Sequence, residues 1–299
     1  MFLIVKIILF YNNFAGNGRA RKQKDNILKQ FQEAGHEVDI QITPGKEKTS
    51  QLVEETAFDG YDGVFAAGGD GTIMEVANGY LKNPAVRKPP FGIIPIGTGN
   101  AFIRDLGYST GQIKEVIANL NPEKTKWVDA GIAQNGELPF YFFNILGIGF
   151  VSDVILTAQN FKWLGNFAYT IGIFYRAINL KTVATKLEVD GEIFECDTLF
   201  VEVSNTRYTS NFLMAPDAAF DDGILDITVL KKMSTLRLMK SFPKILSGEH
   251  IHLSEVKIMQ GKDIKIHTIT PKVVSPDGEL KGQTPITIGV KHKALELFY

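Results

Sequence analysis

Three short glycine-rich segments are the first candidates for chemistry in this chain. They read AGNGR at 15–19, GGDGT at 68–72 and GTGN at 97–100. Because glycine carries no bulky side chain, backbone N–H groups in such segments approach a phosphate without obstruction. Their recurrence predicts a phosphate-binding site, although a tight turn explains any one of them alone.

The segment GGDGT is the most informative of the three. An apolar run at 63–67 precedes it, and a helical pattern starts near Ile73. The N-terminus of a helix attracts anions because its N–H groups are unpaired and carry partial positive charge. Asp70 is unusual beside phosphate, so we expect its carboxylate to serve a metal ion or the attacking nucleophile.

Acidic residues in turn-forming contexts are the second set of candidates, with DDG at 221–223 and PDGE at 276–279. Phosphoryl transfer needs positioning, neutralisation of charge and one carboxylate to accept a proton from the attacking hydroxyl. If PDGE is extended, Asp277 and Glu279 point to the same face of a strand. Asp-Gly is also a strong turn signal, so a hairpin turn is the alternative interpretation of 221–223.

Other catalytic chemistries lack the residues that they need. The sequence contains no GxSxG, HExxH or CxxC motif, and its five histidines show no zinc-ligand spacing. Cys196 is the only cysteine, which excludes an intramolecular disulfide and favours a reducing compartment.

The elements that must position these residues change character near residue 127. Before it, apolar runs alternate with helical patterns, which predicts a parallel sheet whose strands carry ligands at their carboxyl ends. After it, short turn-bounded runs predict an antiparallel β-sandwich. The predicted strands of the first part are 4–10, 37–43, 63–67 and 91–95, with helices at 21–34, 49–58 and 73–81. Those of the second part are 140–146, 185–189, 199–203, 224–230 and 256–259, with helices near 153–180 and 234–246. In the first of these helices one face carries Trp163, Phe167, Ile171, Phe174 and Ile178. We expect this face in the core, and the wall of an apolar pocket is the alternative interpretation.

Four segments together resemble one enzyme family, the diacylglycerol kinase and sphingosine kinase family of lipid kinases. They are GGDGTIMEVANGYL (68–81), FGIIPIGTGNAFIRDLG (91–107), MAPDAAFDDGILDITVL (214–230) and SPDGELKGQTPITIGV (275–290). Their order and spacing match the catalytic region of that family, and the resemblance covers nearly the whole chain.

The resemblance implies a two-domain fold and an activity. A nucleotide-binding α/β domain with a parallel sheet would occupy 1–127 and about 288–299, and an antiparallel β-sandwich domain for the lipid would occupy 128–287. The activity would be transfer of the γ-phosphate of ATP, with Mg²⁺, to a hydroxyl of a diacylglycerol, sphingoid or related lipid at a membrane surface.

The resemblance also implies roles for individual residues. Asp277 matches the family's general base, with Glu279 supporting it. In some sphingosine-type members the residue that matches Asp70 is assigned this role instead. Asp222, with the backbone carbonyls of Ala219 and Ile224, matches the metal position. Asp153 matches a position that holds the lipid head group, although an acidic residue at a helix N-terminus is also commonplace. The expected nucleotide contacts are Asn12, Asn13, Phe14, Ala15, Gly16, Thr43, Gly68, Gly69, Asp70, Gly71, Thr72, Glu75, Thr98 and Asn100.

The first glycine-rich segment departs from the family pattern, Asn-Pro-x-Ser-Gly-Lys-Gly-Lys. Residues 12–19 read NNFAGNGR, which lacks a hydroxyl and one lysine and leaves Arg19 and Lys22 as nearby cations. We therefore expect reduced affinity for ATP. Ala101 follows Asn100 where many bacterial diacylglycerol kinases have Asp and where ceramide- or sphingosine-type kinases often have Ala, so this position does not favour diacylglycerol as the lipid.

Two alternatives to a lipid kinase remain. An NAD kinase shares GGDGT but needs an Asn-Asn-Glu-type segment downstream, which the sequence lacks. A lipid-binding or regulatory protein that has lost kinase activity would explain the altered first segment. The sequence leaves the identity of the lipid and the oligomeric state open.

Composition limits the partners and the location. The chain has 299 residues and a formal net charge of -1, so no overall basic field indicates a nucleic-acid partner. The apolar start contains Lys6 and no cleavage site, and the apolar stretch 163–180 contains Asn166 and Arg176. Neither predicts a membrane span. We expect a cytoplasmic protein that contacts the inner membrane face peripherally.

Overall fold

The computed structural model forms two compact units. One consists of Met1–Val128 with Lys293–Tyr299, and the other of Asp129–His292. The residues that the structure describes are 4–16, 18–45, 48–97, 101–107, 112–118, 120–136, 138–159, 167–209 and 212–299.

The first unit is an α/β structure, as its alternating pattern predicts. Its elements are β1 (Lys6–Tyr11), α1 (Arg19–Glu33), β2 (Glu37–Ile42), α2 (Lys48–Glu55), β3 (Gly63–Gly68), α3 (Asp70–Lys82), β4 (Phe91–Pro95), α4 (Ala101–Asp105) and α5 (Ile113–Ala118). Two long strands, β5 (Thr125–Gln134) and β16 (Ile286–Phe298), each contribute residues to both units.

In the first unit, the pairings among β1, β2, β3, β4 and the end of β16 are parallel. Its strands follow the order β2-β1-β3-β4, and the end of β16 adds beside β4, where Leu297 pairs with Phe91. The central strands β1 and β3 are almost wholly buried, which is why they read as continuous apolar runs. Helix α3 begins three residues earlier than predicted, because Gly69 takes an extended conformation and acts as its N-cap.

The second unit is mainly antiparallel, as predicted. Its remaining strands are β6 (Phe140–Phe142), β7 (Ile145–Gly149), β8 (Val183–Val189), β9 (Glu192–Ser204), β10 (Tyr208–Thr209), β11 (Phe212–Leu213), β12 (Leu225–Lys231), β13 (Val256–Gly261), β14 (Asp263–Thr268) and β15 (Val274–Pro276). Its helices are α6 (Phe150–Gln159), α7 (Phe167–Ile178), α8 (Thr235–Ser241), α9 (Pro243–Ser247) and a 3-10 turn at Glu249–His252.

Strand β9 organises the second unit. Its first half pairs with β8, and its second half lies between β7 and β12. The longest path of paired strands in this unit is β13-β12-β9-β8-β14-β16, and β15 pairs with β7. Inward-facing aliphatic and aromatic residues of these strands form one continuous core.

Two predictions for the second unit are wrong in detail. The strand expected at 140–146 is two strands, because the chain between β6 and β7 donates its amides to a side chain instead of to a neighbouring strand. On α7, Ile178 is 81% exposed, whereas Ile173 and Ala177 are buried. Trp163 and the side chains of Phe167 and Phe174 lie outside the described residues. Within the described ranges, no helix is long and apolar enough to cross a membrane.

Candidate functional site

In the first unit, Asn12 joins two of the glycine-rich segments where β1 and β3 end. Its backbone N–H donates to the Ala67 carbonyl (3.0 Å), and its side-chain Nδ2 donates to Thr72 Oγ1 (2.8 Å). Its Oδ1 accepts from the Phe14 N–H (2.9 Å), which turns the chain immediately after β1. The sequence placed Asn12 and Thr72 in one site, and the structure brings them together.

The third strand end joins the same place. Both Ile96 and Gly97, which follow β4, donate their N–H groups to the Gly68 carbonyl (3.0 and 2.9 Å). Gly16 has φ +60, and a Cβ there would lie 2.7 Å from the Ile96 carbonyl oxygen. The loop therefore needs glycine at 16. Thr98 and Asn100, two of the expected contacts, lie outside the described residues.

The N-terminus of α3 has a glycine N-cap. Gly69 is its N-cap and supplies no side-chain hydrogen bond, so the first N–H groups of this 13-residue helix have no cap from that residue. A Cβ at Gly68, the residue before this N-cap, would lie 2.5 Å from Thr72 Cβ, so the Thr72 side chain leaves no room for a side chain at position 68. A helix N-terminus with this loop geometry suits a phosphate.

Several other expected contacts surround these loops. Asn13 has a buried Oδ1 with no hydrogen-bond partner among the residues that the structure describes, as a bound nucleotide would supply. Thr43 is buried and donates its N–H to the Tyr11 carbonyl (3.0 Å), directly after β2. Glu75 is half-buried on α3, and Phe14 exposes 83% of its surface.

The first glycine-rich segment contains one cation, Arg19, which makes a hydrogen bond within that segment. Arg19 is exposed, and its Nε donates to the Gly16 carbonyl (3.0 Å), so it braces the loop. The Tyr11 hydroxyl donates to the Ala20 carbonyl (2.7 Å), and burial raises the pKa of Tyr11 to about 12. The tyrosine is therefore a neutral anchor between β1 and α1.

In the second unit, a buried carboxylate fixes the DDG turn. Asp129 is 0% exposed, and its Oδ2 accepts from the Gly223 N–H (2.6 Å) while its Oδ1 lies 2.9 Å from His292 Nδ1. Asp222 is exposed and its Oδ1 accepts from the Ile224 N–H (3.0 Å). Residues 221–223 thus form a turn that presents Asp222 outward, but not a hairpin turn, because β11 pairs with β10 and β12 pairs with β9 and β13.

Sequence reasoning missed Asp129. The signal was a lone acidic residue within the apolar run of β5, because a charged residue in a buried strand requires a partner. Its partners at 223 and 292 are distant in sequence, so the pattern alone did not identify what it holds.

The surroundings of Asp222 suit a hard cation. Burial raises the pKa of Asp226, and the negative charges of Asp222 and Asp217 raise it further, while a hydrogen bond from Gln260 lowers it. Ala219 and Ile224, whose carbonyls are the other expected ligands, are both half-buried. In the described part of the chain, no group of three or more His, Cys, Asp and Glu side chains is arranged around one metal position. Magnesium does not need one, because it binds through one or two carboxylates and keeps waters.

Asp277 anchors a loop through its carboxylate. Its Oδ2 accepts from the Phe143 N–H (2.8 Å), and its Oδ1 accepts from the N–H groups of Asn144 (2.8 Å) and Ile145 (3.0 Å). These are the amides that interrupt the strand predicted at 140–146. They hold the carboxylate in one orientation.

The expectation of an extended PDGE segment is wrong. Asp277 has φ +46 and Gly278 φ +82, and the Glu279 N–H donates to the Pro276 carbonyl (2.8 Å). The residues therefore form a tight turn after β15, because Asp and Gly are the residues that tolerate left-handed conformations. Asp277 and Glu279 are both half-buried there and do not share a strand face.

Asp153 lies in the first turn of α6 and is half-buried. Phe150, Val151 and Val154 of the same helix line an apolar cavity, but Asp153 is not among the lining residues. The structure thus places Asp153 on a helix that borders an apolar cavity, without showing a contact between Asp153 and that cavity.

Comparisons with known proteins bear on both units. A family model described as diacylglycerol kinase catalytic domain matches residues 6–133, and one described as YegS C-terminal NAD kinase beta sandwich-like domain matches residues 144–299. Among curated proteins, a diacylglycerol kinase of Staphylococcus haemolyticus is 30% identical over 93% of this chain and 83% of its own length. A diacylglycerol kinase of Bacillus subtilis is 29% identical over 93% of this chain and 90% of its own length. A solved diacylglycerol kinase structure from Bacillus anthracis has a TM-score of 0.80 and 28% identity, covering 98% of this chain and 96% of its own.

Proposed function

Because the chain belongs to the diacylglycerol kinase family and is therefore an ATP-dependent lipid kinase, we propose that it transfers the γ-phosphate of ATP to the hydroxyl of a diacylglycerol. The convergence of three strand ends on the Gly68 carbonyl and Thr72 supports this proposal most strongly. The names of its relatives support diacylglycerol as the acceptor in preference to a sphingoid lipid.

The first unit would bind the nucleotide. The N-terminus of α3, which has a glycine N-cap, would offer N–H groups and partial positive charge to the phosphates. The unpartnered Asn13 Oδ1 would accept a hydrogen bond from an amino or hydroxyl group of the nucleotide. With Arg19 Nε bonded to the Gly16 carbonyl, one fewer guanidinium N–H is available to the phosphates, so a modest ATP affinity is expected.

Asp222 would hold Mg²⁺, together with the carbonyls of Ala219 and Ile224. The accumulated negative charge of Asp217, Asp222 and Asp226 and the all-oxygen donor set fit this cation. When bound, Mg²⁺ neutralises charge on the phosphates during transfer. Asp129 acts through the backbone, because its hydrogen bond to Gly223 fixes the turn that presents Asp222.

Asp277 would act as the general base. Its carboxylate would take the proton of the lipid hydroxyl while the hydroxyl oxygen forms a bond to the γ-phosphorus. The bond from that phosphorus to the β–γ bridging oxygen breaks, and ADP leaves. The three backbone N–H donors orient the carboxylate, as general-base catalysis requires. Glu279 would support the same turn, Asp153 would contact the lipid head group, and Asp70 is the competing candidate for the base.

A panel of acceptors tests this function. The protein is incubated with γ-labelled ATP and Mg²⁺ beside dioctanoylglycerol, sphingosine, ceramide, a mixed bacterial lipid extract, or NAD. We expect label in dioctanoylglycerol phosphate. Label in NADP would instead indicate an NAD kinase, and binding of lipid without transfer of label would indicate a protein without kinase activity. Supplying the same lipid in vesicles and in detergent micelles shows whether a membrane surface contributes.

A further inference from the structure

Helices α7, α8 and α9 pack on one apolar cluster of the second unit. Each turns one face towards this cluster, through Ala177 on α7, Leu238 on α8 and Ile245 on α9. Helix α8 contacts both α7 and α9, so the three helices lie side by side. Because a helix that buries one face exposes the opposite one, their outer sides together form one surface, the α7–α9 face.

The α7–α9 face carries four large apolar side chains that the fold leaves exposed. Tyr175 and Ile178 lie about one turn apart on α7, Leu236 lies on α8, and Leu246 lies on α9. Each exposes more than half of its surface. A single exposed apolar residue needs no explanation, but four on adjoining helices form a patch of the kind that marks a contact with a protein or a membrane.

The same face is basic. Residues 231–248, which include α8 and α9, contain five lysines and arginines and no Asp or Glu, in a chain whose net charge is -1. Three of these cations, Lys232, Lys240 and Lys244, are exposed. Among the residues that the structure describes, none of these three makes a salt bridge. Their positive charge is therefore available to a partner.

The other two cations of this segment are engaged within the protein. Lys231 Nζ lies over the Phe194 ring, 5.6 Å from its centre, and Arg237 Nε donates to Glu255 Oε1 (3.1 Å). The next acidic residue along the chain, Glu249, is exposed and offsets one of the three remaining charges. The α7–α9 face thus keeps an excess of positive charge.

Exposed lysines beside exposed apolar side chains suit the surface of an anionic bilayer. Apolar side chains enter the boundary between head groups and acyl chains, and lysines are attracted to the negative charge of the lipids. A nucleic acid would use the lysines but would leave the apolar side chains in water. A second copy of this chain would bring the same lysines together across a symmetric interface, where like charges repel.

We propose that the α7–α9 face docks the protein on an anionic lipid bilayer. Its four apolar side chains enter the head-group region, and its three exposed lysines bind lipid phosphates. This proposal rests on the proposed function for the location of the substrate, because a diacylglycerol lies within a bilayer. It names the surface through which the protein reaches that substrate.

Flotation of the whole chain with lipid vesicles, without ATP and without diacylglycerol, tests the docking surface apart from catalysis. One set of vesicles contains phosphatidylcholine alone, and the other contains equal parts of phosphatidylcholine and the anionic lipid phosphatidylglycerol. Lys240→Gln with Lys244→Gln removes two charges from the face. Lys29→Gln with Lys82→Gln is the matched control, because both lysines are exposed and lie on α1 and α3 of the first unit.

We expect the wild type to bind the anionic vesicles more tightly than the neutral ones, and less tightly as salt is raised. The Lys240→Gln/Lys244→Gln variant should bind the anionic vesicles about 30-fold more weakly, because each lysine near an anionic surface contributes about fivefold. It should match the wild type on neutral vesicles, and the control should match on both. Leu236→Ser should weaken binding to both kinds of vesicle about tenfold, because its apolar side chain leaves water in either case.

Equal binding of anionic vesicles by the wild type and the Lys240→Gln/Lys244→Gln variant would overturn the proposal. So would a wild type that binds neither kind of vesicle, or a control that loses as much binding, since total charge and not this face would then decide. A dimer in analytical ultracentrifugation that Leu236→Ser dissociates would assign the face to a second copy of the chain and would overturn the proposal as well.

Phosphorylation of dioctanoylglycerol in neutral detergent micelles separates the docking surface from the proposed function. Phosphorylation there without lysine-dependent binding of anionic vesicles refutes the docking surface alone. Lysine-dependent binding of anionic vesicles, without phosphorylation in either vesicles or micelles, refutes the proposed function alone.

Discussion

Replacing Asp277 by Asn separates its two roles, as the anchor of a loop and as the proposed base. The carboxylate accepts three backbone N–H bonds, two on Oδ1 and one on Oδ2. An asparagine offers only one acceptor oxygen, so the Phe143 N–H would face the new NH₂ group. Loss of one hydrogen bond to a charged group destabilises a protein by about 1.5–3 kcal/mol. Loss of a general base lowers kcat by about 10²–10⁴.

A control variant in the same turn distinguishes these effects. Gly278 has φ +82 with open space around it, so Gly278→Ala strains the backbone by about 1–2 kcal/mol and keeps the carboxylate. Urea unfolding should show a similar loss of stability in both variants. Only Asp277→Asn should lose kcat, and both should keep their ATP affinity in calorimetry.

The base role of Asp277 would be refuted if folded Asp277→Asn kept more than about a tenth of wild-type kcat, because loss of a general base lowers kcat by a much larger factor. It would also be refuted if Gly278→Ala lost as much activity, because geometry and not proton transfer would then explain the effect. If Asp70→Asn shows the loss instead, the base belongs to the glycine-rich segment.

The other predictions concern the nucleotide, the metal and stability. Gly69→Ala should weaken ATP binding sharply in calorimetry, because the backbone of Gly69, with φ -99, tolerates alanine but the added methyl group would meet the phosphate. Gly289→Ala is the control, because a Cβ at Gly289 would make only ordinary van der Waals contacts. Equal ATP affinities of the two variants would remove Gly69 from the nucleotide site. Asp222→Ala should greatly reduce turnover in the labelled-ATP assay, with partial recovery at high Mg²⁺; full activity would leave 221–223 as a turn only. Burial raises the pKa of Glu202, in β9, to about 7, and this adds stability below pH 4.5 that is lost as pH rises through about 7. Between pH 6 and 8.5 the free energy of unfolding of the wild type should therefore fall by about 1.4 kcal/mol relative to Glu202→Gln, and a parallel response would contradict this.

The sequence predicted those features that depend on neighbouring residues. Strands β3 and β4 were predicted within a residue of their observed bounds, because short apolar runs there end in glycine or proline. The joining of the first two glycine-rich segments through Asn12 and Thr72 agrees with the expectation that parallel strands carry their ligands at one edge.

Features that depend on distant residues were missed. The break in the strand at 140–146 is caused by Asp277, more than 130 residues away. The role of Asp129 depends on Gly223, and the burial of Glu202 depends on helices α6, α7, α8 and α9, which line the same apolar cavity. The extended conformation assumed for PDGE failed for a local reason, since its Asp-Gly pair favours a left-handed turn.

Phosphorus NMR of one reaction mixture tests the central claim most directly. Wild-type protein, ATP, Mg²⁺ and dioctanoylglycerol are followed over time, with a chelator added to a parallel sample. A lipid kinase predicts a growing phosphomonoester signal matched by an equal amount of ADP, absent with chelator. Unchanged ATP, or ADP formed with inorganic phosphate alone, would contradict the account.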